Sequence, residues 1–370
     1  MYKKTVHIIF ITLALGLLLT PSIVMFTGLE GNYSNDENRK MQNFPEFQMA
    51  YPVQFVREFK LYFNDNFGFR IAFFNLYKMG LKNLFDEDPL PRKVVSGKNG
   101  WYFLGDEHNN VVSKTIGANQ FSKTELNNIA SKLVTANTWL EQNGIRFFVA
   151  VAPNKHTIYS QYLPFSIHNK KTKFSVLKEF LDAKHDFELI DLKEPILKAK
   201  DTVQLYYKND SHWNDYGAYL GYVQLMNVIS EEYPEVKALS NEQIKLDSVY
   251  KDSGDLVRML NIETGEFVPN ITFVDQNRSR KVENEISIPF HYNGAVAIYE
   301  DRYKKQDTPF KVLIFGDSFA QNLKKYLNES FGECVYIRDY KFDKKLIQRE
   351  NPDIVILEVA ERKLEKLNKM

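Results

Sequence analysis

The chain has almost no cysteine, and its charges of opposite sign nearly cancel. The one cysteine, Cys334, excludes an intramolecular disulfide and a zinc site built on cysteines. Lysine and arginine number 48 against 47 acidic residues, a formal net charge of +1. This balance excludes polyanion binding through bulk charge, so we expect no nucleic-acid partner. The sequence also lacks internal repeats and low-complexity tracts, which excludes a repeat architecture.

What is present suits a packed globular protein. Hydrophobic residues make up 44% of the chain and aromatic residues 14%, enough for a substantial core. A length of 370 residues favours about two domains, although one large α/β domain also fits. Composition therefore indicates a packed globular protein. It does not indicate a reaction, which has to be inferred from the motifs.

An apolar run near the N-terminus predicts a membrane segment. The run from Val6 to Phe26 follows Lys3 and Lys4, and as a helix it spans about 31 Å, close to the hydrocarbon thickness of a bilayer. The preceding lysines favour an N-inside orientation, with the remainder extracytoplasmic. A cleaved signal peptide is the alternative, but the run is longer than a usual signal core and no Ala-x-Ala site follows it. We expect a single-pass protein of the cell membrane.

Beyond this anchor or signal, residues 1–28, the sequence divides into two further parts. Residues 29–90 predict a juxtamembrane helical module, in which Phe55, Phe59, Phe63 and Phe67 recur at helical spacing and are interpreted as core. Residues 91–370 predict the catalytic domain, with an insertion of loops and antiparallel strands at about 236–305.

The third part alternates strands and helices. Asn99-Gly100 followed by aromatic residues predicts a β-hairpin turn within 97–105. Apolar runs predict further strands and periodic patterns predict helices between them: strands at 146–152, 187–192, 311–315, 334–338 and 353–359, and helices at 124–143, 175–183 and 215–230. This order predicts an α/β fold with a doubly wound, mostly parallel sheet.

A serine follows one of these strands. The strand Val312–Phe315 leads through Gly316-Asp317 to Ser318, at the predicted start of a helix. Sites in open α/β sheets form outside the carboxyl ends of the strands, and a helix start favours developing negative charge. Ser318 is therefore a candidate nucleophile with its own N–H as an oxyanion donor. The plainer interpretation is that Gly-Asp-Ser supplies only a turn and a helix cap.

A nucleophilic serine needs a base, and Asp210-Ser211-His212-Trp213 supplies one. In an extended loop, residues two apart point to the same side, so Asp210 can hold one imidazole nitrogen while the other accepts the serine proton. Alone, this histidine could equally be a packed surface residue. No second histidine lies at ligand spacing, so no metal site is expected.

Together, these two elements resemble the AlgX/AlgJ-like branch of the SGNH hydrolase superfamily, which contains membrane-associated polysaccharide O-acetyltransferases and DHHW-type relatives. The Asp-x-His-Trp element precedes the Gly-Asp-Ser element, the permuted order of that branch. Weaker matches are the segments 97–105 (GKNGWYFLG) and 151–155 (VAPNK), Gly254-Asp255-Leu256, and the strand that ends before Glu361-Arg362. Ser211 stands where the branch commonly has threonine or histidine.

The resemblance implies roles for individual residues. Ser318 would be the nucleophile that accepts the acyl group, His212 the general base and then acid, and Asp210 the residue that orients the imidazole. Candidates for oxyanion or substrate contacts are Asn154, Gly316, Arg362 and Trp213. Asn154 could instead serve a turn, Arg362 a surface ion pair, and Trp213 the core. Trp101, Tyr102, Tyr206 and Tyr207 are further candidates for stacking on sugars, with core packing as the alternative.

The expected reaction is transfer of an acetyl group, through an acyl-serine, to hydroxyls of an exported or cell-wall polysaccharide. No bound cofactor is expected, because the resemblance implies a multi-pass membrane O-acyltransferase partner that supplies the acetyl group. The alternatives are an extracytoplasmic carbohydrate acetyl esterase with the same three residues, and a non-catalytic polysaccharide-binding assembly protein.

Overall fold

The computed structural model describes residues 2–27, 42–81, 84, 90–167, 171–185, 187–260, 262–275, 278–283, 289–292, 295–298, 300–306 and 308–370. The predicted boundary at residues 28 and 29 lies outside these residues. The chain forms two compact units, one of residues 1–89 with 291–295 and the other of residues 90–290 with 296–370.

The helices of the described residues are α1 (Tyr2–Thr27), α2 (Pro52–Asn66), α3 (Arg70–Gly80), α4 (Val111–Thr115), α5 (Lys123–Gln142), α6 (Lys155–Ile158), α7 (Lys173–Lys184), α8 (Lys193–Ala199), α9 (Asp215–Glu232), α10 (Asp255–Leu260), α11 (Ser318–Leu327) and α12 (Lys344–Glu350). The strands are β1 (Val94–Ser96), β2 (Tyr102–Leu104), β3 (Arg146–Ala152), β4 (Leu189–Asp191), β5 (Ile244–Lys251), β6 (Glu266–Phe273), β7 (Arg280–Val282), β8 (Pro289–Tyr292), β9 (Ala295–Ile298), β10 (Glu300–Lys304), β11 (Lys311–Phe315), β12 (Glu333–Ile337) and β13 (Ile354–Ala360). Turns of 3₁₀ helix cover Lys98–Gly100, Ser160–Tyr162 and Glu361–Lys369.

The first unit contains α1, α2 and α3. Its aromatic residues do not form the core that their spacing predicts, since no residue of α2 is buried. Phe44 contacts the rings of Phe55 and Phe59 edge to face, with centroids 6.5 and 6.0 Å apart. Phe59 continues the contacts to Phe63, and Phe63 to Phe67. The interpretation as core was wrong because these rings pack on one another and remain half-exposed.

The second unit is built on a seven-stranded sheet in the order β4-β3-β13-β11-β12-β10-β7. The strands from β4 to β12 run parallel, whereas β10 and β7 add an antiparallel edge. The predicted α/β fold with a mostly parallel sheet is thus confirmed. Within the predicted insertion at 236–305, β5 and β6 form a separate two-stranded antiparallel sheet, and β7 and β10 belong to the main sheet.

Both faces of the sheet are buried, which explains why its strands read as continuous apolar runs. Along β3, Phe148, Ala150 and Ala152 join one hydrophobic cluster with α9 and α11. The alternate residues Phe147, Val149 and Val151 join a second cluster with α5 and α7. The carboxyl ends of β11, β13 and β3 meet at one edge, because Phe315 lies opposite Leu357 and Ala360 opposite Ala152. The loops that follow these strands therefore share one end of the sheet.

Local signals place the hairpin and the helix starts correctly. β1 and β2 pair antiparallel around a turn in which Asn99 and Gly100 have φ of 56° and 75°, as the Asn-Gly pair predicts. The side chain of Asn214 accepts the N–H of Gly217 at 3.0 Å and caps α9. This cap holds the loop with Asp210 and His212 at the positive end of the helix.

Candidate active site

Ser318 is the first residue of α11, directly after β11. The strand delivers the chain to the sheet edge, and Asp317 caps the helix by accepting the N–H of Phe319 at 2.8 Å. The first N–H groups of a helix have no intrahelical acceptor, so the N–H of Ser318 points out of the helix start. The Ser318 side chain is half-exposed, whereas Asp317 and Phe319 on either side of it are buried.

The structure brings His212 to this serine, although the two residues are 106 positions apart in the chain. His212 Nε2 lies 2.7 Å from Ser318 Oγ. The imidazole also packs against the ring of Phe319, with centroids 5.0 Å apart. Phe319 therefore fixes the imidazole beside the hydroxyl.

Asp210 holds the other imidazole nitrogen. Its Oδ1 lies 2.6 Å from His212 Nδ1 and accepts the His212 backbone N–H at 3.0 Å. Burial alone would raise the pKa of the Asp210 carboxyl, but the hydrogen bonds and the nearby imidazole hold it below its ordinary value. With Nδ1–H directed at this carboxylate, Nε2 is the nitrogen that accepts from Ser318.

A second carboxylate, Asp255, braces the same loop. It accepts the backbone N–H of Ser211 at 2.7 Å through Oδ1 and the Ser211 hydroxyl at 2.6 Å through Oδ2. The Asp255 N–H donates to Asp210 Oδ2 at 2.9 Å. Burial and the neighbouring Asp210 charge raise the pKa of the Asp255 carboxyl. The predictions assigned no role to Asp255, although its Gly-Asp-Leu motif was the available signal.

The buried side chain of Lys155 forms hydrogen bonds with the loop that bears Asp210 and His212. Lys155, 2% exposed, donates to the carbonyls of Lys208 at 2.9 Å and Asp210 at 3.1 Å, and also to that of Tyr102. Its ammonium lies 5.1 Å from the centre of the Trp101 ring. Burial lowers the pKa of Lys155 to about 7 despite the nearby carboxylates. The motif 151–155 was the available signal for this residue, because a lysine close to the end of a buried strand needs compensating partners when it is buried.

Further contacts fix the beginning of the loop. The Glu266 carboxylate accepts the N–H groups of Lys208 and Asn209, each at 3.0 Å. A Cβ at Gly254 would come within 2.3 Å of the Asn209 carbonyl oxygen, so glycine is needed where the two segments cross. Side chains from α6, α10 and β6 thus hold the loop that bears Asp210 and His212.

Two buried acidic residues, Asp317 and Glu358, lie next to Ser318. Asp317 accepts from the Tyr340 hydroxyl at 2.7 Å and from Lys363 at 2.9 Å. Burial would raise the pKa of Asp317, but Lys363 and Arg362 keep it below its ordinary value. Glu358 is fully buried and accepts the Asp317 N–H at 3.2 Å. Burial and the Asp317 charge raise the pKa of Glu358 well above its ordinary value.

Gly316 has a packing role and is not an oxyanion donor, which corrects its candidacy. Its N–H donates to the Ile337 carbonyl at 3.1 Å and is therefore already engaged. A Cβ at this position would lie 2.8 Å from Ala320 Cβ and 3.0 Å from Glu358 Oε2. Only glycine lets the strand turn into α11 at this distance from Glu358.

Trp213 is completely buried, so its candidacy for substrate stacking is also corrected. Its ring packs edge to face on Phe319, with centroids 5.1 Å apart, and closely against Gly221. Trp101 and Tyr206 are likewise buried. Tyr102 and Tyr207 are half-buried, and their role in stacking on sugars stays a prediction.

Asn154 and Arg362 follow β3 and β13, whose carboxyl ends lie side by side. The Asn154 N–H donates to Glu361 at 2.9 Å, and its buried Oδ1 has no hydrogen-bond partner among the described residues. Arg362 is 5% exposed, and its guanidinium lies 4.9 Å from the centre of the Phe319 ring. The surface ion pair considered for Arg362 is therefore wrong, because the side chain is buried against Phe319.

Asp210, His212 and Asp255 offer one ligand atom each within 4.8 Å of one another, which makes them a possible group of metal ligands in the described part of the chain. Their ligand atoms, however, already bond to each other or to Ser211. A carboxylate, an imidazole and a hydroxyl in this linear arrangement suit proton transfer and nucleophilic attack on a carbonyl carbon.

The sequence matches a known protein family. The family model of the SGNH hydrolase-like domain of the acetyltransferase AlgX matches residues 94–338, about two thirds of the chain. The chain belongs to this family. The matched AlgX-family region includes Asp210, His212 and Ser318 as well as Lys155 and Asp255.

Individual relatives of this AlgX-family chain are distant. The "Probable alginate O-acetylase AlgJ" of Pseudomonas putida is 27% identical over 145 residues, which are 38% of this chain and 34% of that protein. Its namesake from Pseudomonas syringae pv. tomato is 23% identical over 237 residues, 62% of this chain and 54% of that protein. The chain thus spans about a third to a half of these curated relatives. The solved structure of Bacillus cereus PatB1 shares the fold, with a TM-score of 0.55 at 19% identity, and the match covers 73% of this chain and 96% of PatB1.

Proposed function

We propose that the protein is an O-acetyltransferase that moves an acetyl group through an acyl-serine onto hydroxyls of an extracytoplasmic polysaccharide. The observation that carries the proposal is the line of contacts from Ser318 Oγ to His212 Nε2 at 2.7 Å and from His212 Nδ1 to Asp210 at 2.6 Å. Membership of an acetyltransferase family supports the acyl group, and the two relatives named "Probable alginate O-acetylase AlgJ" support a polysaccharide acceptor.

The first half-reaction loads the serine. Ser318 Oγ attacks the carbonyl carbon of the acetyl donor while its proton passes to His212 Nε2. The resulting tetrahedral oxyanion collapses, the bond to the leaving group breaks, and His212 returns the proton to that group. Asp210 stabilises the imidazolium that exists between these steps. The product is acetyl-Ser318.

The second half-reaction transfers the acetyl group from Ser318 to the acceptor. A sugar hydroxyl attacks the ester carbonyl, and its proton passes to His212 Nε2. When the second tetrahedral oxyanion collapses, the bond to Ser318 Oγ breaks and the proton returns to the serine. If water replaces the sugar hydroxyl, the same steps give an esterase, so exclusion of water from the acyl-enzyme decides between the two outcomes.

Oxyanion stabilisation would come from the start of α11 and from the end of β3. The Ser318 N–H lies at the positive end of the helix dipole. Asn154, which is buried after the end of β3 and beside the end of β13, would supply a second donor through its side-chain NH₂ group. Replacing Asn154 with alanine would then lower kcat about 10²–10³-fold, as loss of an oxyanion donor does.

The site would face the exterior of the cell. Helix α1 contains a stretch, Lys4–Thr27, that is long and apolar enough to cross a membrane. Acetyl-coenzyme A is cytoplasmic, so an extracytoplasmic Ser318 needs its acetyl group delivered across the bilayer. A multi-pass membrane O-acyltransferase partner would supply it.

The test uses the full-length protein in detergent with a chromogenic acetyl ester. Ser318→Ala should lower turnover by several orders of magnitude, about 10⁴–10⁶-fold for a nucleophile of this kind. The matched control is Ser248→Ala, at an exposed serine of β5, which should leave turnover unchanged. Undiminished turnover in Ser318→Ala would overturn the nucleophile assignment.

An oligosaccharide acceptor separates the two reaction types. Mass spectrometry should find an acetylated sugar in the presence of the wild-type protein and none with Ser318→Ala. Acetate as the only product would make the protein an esterase.

A further inference from the structure

The first unit exposes an unusual amount of apolar surface. Phenylalanine and tyrosine supply 12 of the 40 residues from 42 to 81, about twice the aromatic share of the whole chain. Along α2, the side chains of Val53, Val56 and Leu61 are 81%, 65% and 51% exposed. Arg57 and Lys60 are exposed on the same side of α2. Large exposed apolar side chains that cluster in this way indicate a site of contact with an apolar partner.

Helix α3 carries the clearest face. Phe73, Leu76 and Tyr77 are 50%, 62% and 57% exposed and lie at i, i+3 and i+4, so they form one stripe. Leu84, 77% exposed, follows seven residues after Tyr77. Val53, Val56 and Leu61 of α2 together with these four residues are called the apolar module surface below.

A contact with α1 fixes the depth of this module. A Cβ at Gly68, between α2 and α3, would lie 2.2 Å from the carbonyl oxygen of Pro21 and 2.9 Å from Val24 Cβ. Pro21 and Val24 are buried, whereas nearly all of the preceding part of α1 is exposed. Pro21 and Val24 lie five and two residues before Phe26, about 8 and 3 Å along the helix axis from the outer end of the apolar run.

We propose that α2 and α3 lie in the outer leaflet of the membrane, with the apolar module surface in contact with lipid. This inference rests on the proposed position of α1 across the bilayer. If the apolar run of α1 fills the hydrocarbon core, the turn at Gly68 sits about 3–8 Å inside its outer boundary, just below the level where headgroups meet acyl chains. Helices attached at that level lie among lipids and not in bulk water.

The polar residues of the module are compatible with this location. Arg57 and Lys60 of α2 have long aliphatic stems that let a charge reach the headgroups from a helix lying in the interface. Tyrosine is enriched at membrane interfaces, and phenylalanine is common on the apolar face of helices that lie there. Because residues 42–81 carry four basic and three acidic side chains, the apolar contact would dominate over attraction to anionic lipid.

The experiment measures lipid contact in the full-length protein reconstituted into phosphatidylcholine vesicles. Single cysteines replace Leu76, Val53, Leu17 and Glu242 in turn, and each is labelled with an environment-sensitive fluorophore; Cys334 is buried and does not compete. Lipids carrying a nitroxide on the acyl chain serve as quencher. Leu17 reports the anchor, and the exposed Glu242 of the second unit is the matched control.

The labels at Leu76 and Val53 should be quenched to a degree comparable with Leu17, whereas the label at Glu242 should stay bright. Quenching at Leu17 without quenching at Leu76 and Val53 overturns the proposal and leaves the anchor intact. Absence of quenching at all four positions rejects the anchor as well. If Leu76 stays bright in vesicles but crosslinks to another protein in native membranes, the surface serves a protein and the lipid proposal is rejected.

The outcome is independent of the catalytic proposal. Ser318→Ala should abolish acetyl transfer in the same vesicles without changing the quenching of either module label. Failure of the lipid proposal and failure of the acyl-serine proposal are therefore separate observations.

Discussion

The carboxylate of Asp255 accepts both the backbone N–H and the hydroxyl of Ser211, at 2.7 and 2.6 Å. Ser211 stands between Asp210 and His212, so this pair of hydrogen bonds sets the geometry of the loop that faces Ser318. The Asp255 N–H adds a third link to Asp210. We infer that Asp255 is a positioning residue for the proposed reaction.

Asp255→Asn should therefore lower kcat and leave KM for the acetyl donor nearly unchanged. Hydrogen bonds to a charged group contribute about 1.5–3 kcal/mol each, so we expect a loss of about 10–100-fold in kcat. Ser211→Ala should show a smaller loss, and Ser211→Thr, which keeps the hydroxyl, should restore activity. Steady-state kinetics check the prediction, with Glu242→Gln as control. An unchanged kcat in Asp255→Asn would contradict the role.

Gly316→Ala should both destabilise and inactivate the protein. The added Cβ would meet Ala320 at 2.8 Å and Glu358 at 3.0 Å, and overpacking of this kind costs about 1–3 kcal/mol. Relief of the clash would shift the start of α11 and with it Ser318. Urea unfolding and ester turnover measure the two effects. The control is Gly80→Ala, where a Cβ meets nothing within 4 Å; equal behaviour of both variants would argue against the packing explanation.

Trp213→Phe should lower stability without changing recognition of the acceptor. The indole is fully buried against Phe319 and Gly221. The smaller phenylalanine ring would leave a cavity, which lowers the free energy of unfolding by about 1–2 kcal/mol. Urea unfolding at neutral pH tests the first part, and KM for an oligosaccharide acceptor tests the second. A selective rise in this KM, with unfolding unchanged, would restore Trp213 as a sugar-stacking residue.

The buried acids predict how stability depends on pH. Asp210 and Asp317 have lowered pKa values, so the free energy of unfolding should fall as acid protonates them in the unfolded chain, below about their ordinary 3.8. Glu358 and Asp255 have raised pKa values, so they are ionised in the unfolded chain before they are in the folded protein. Their contribution is present at low pH and is lost as pH rises above their ordinary pKa values, 4.5 for Glu358 and 3.8 for Asp255.

Glu358→Gln isolates the second effect. Because glutamine does not titrate, the stability of the variant relative to the wild type should rise between pH 4 and pH 7. Urea unfolding across this range measures the difference. Parallel stability profiles for the two proteins would show that Glu358 does not titrate as proposed.

The sequence by itself determined the local features. Continuous apolar runs predict the strands and Asn99-Gly100 predicts the hairpin turn, because each depends on residues that are neighbours in the chain. The order of the Asp-x-His-Trp and Gly-Asp-Ser elements was also sufficient to indicate the family that the comparisons show.

Only the tertiary structure decided which side chains meet. Ser318 reaches His212 because the capped start of α9 and the end of β11 lie at one edge of the sheet. Periodicity places an aromatic residue on a helix face but does not say whether anything covers it, so Trp213 is enclosed whereas the rings of α2 are not. The Gly-Asp-Leu motif marks Asp255 in the sequence but does not reveal its partners, since they are 44 and 45 residues away and only packing brings them into contact.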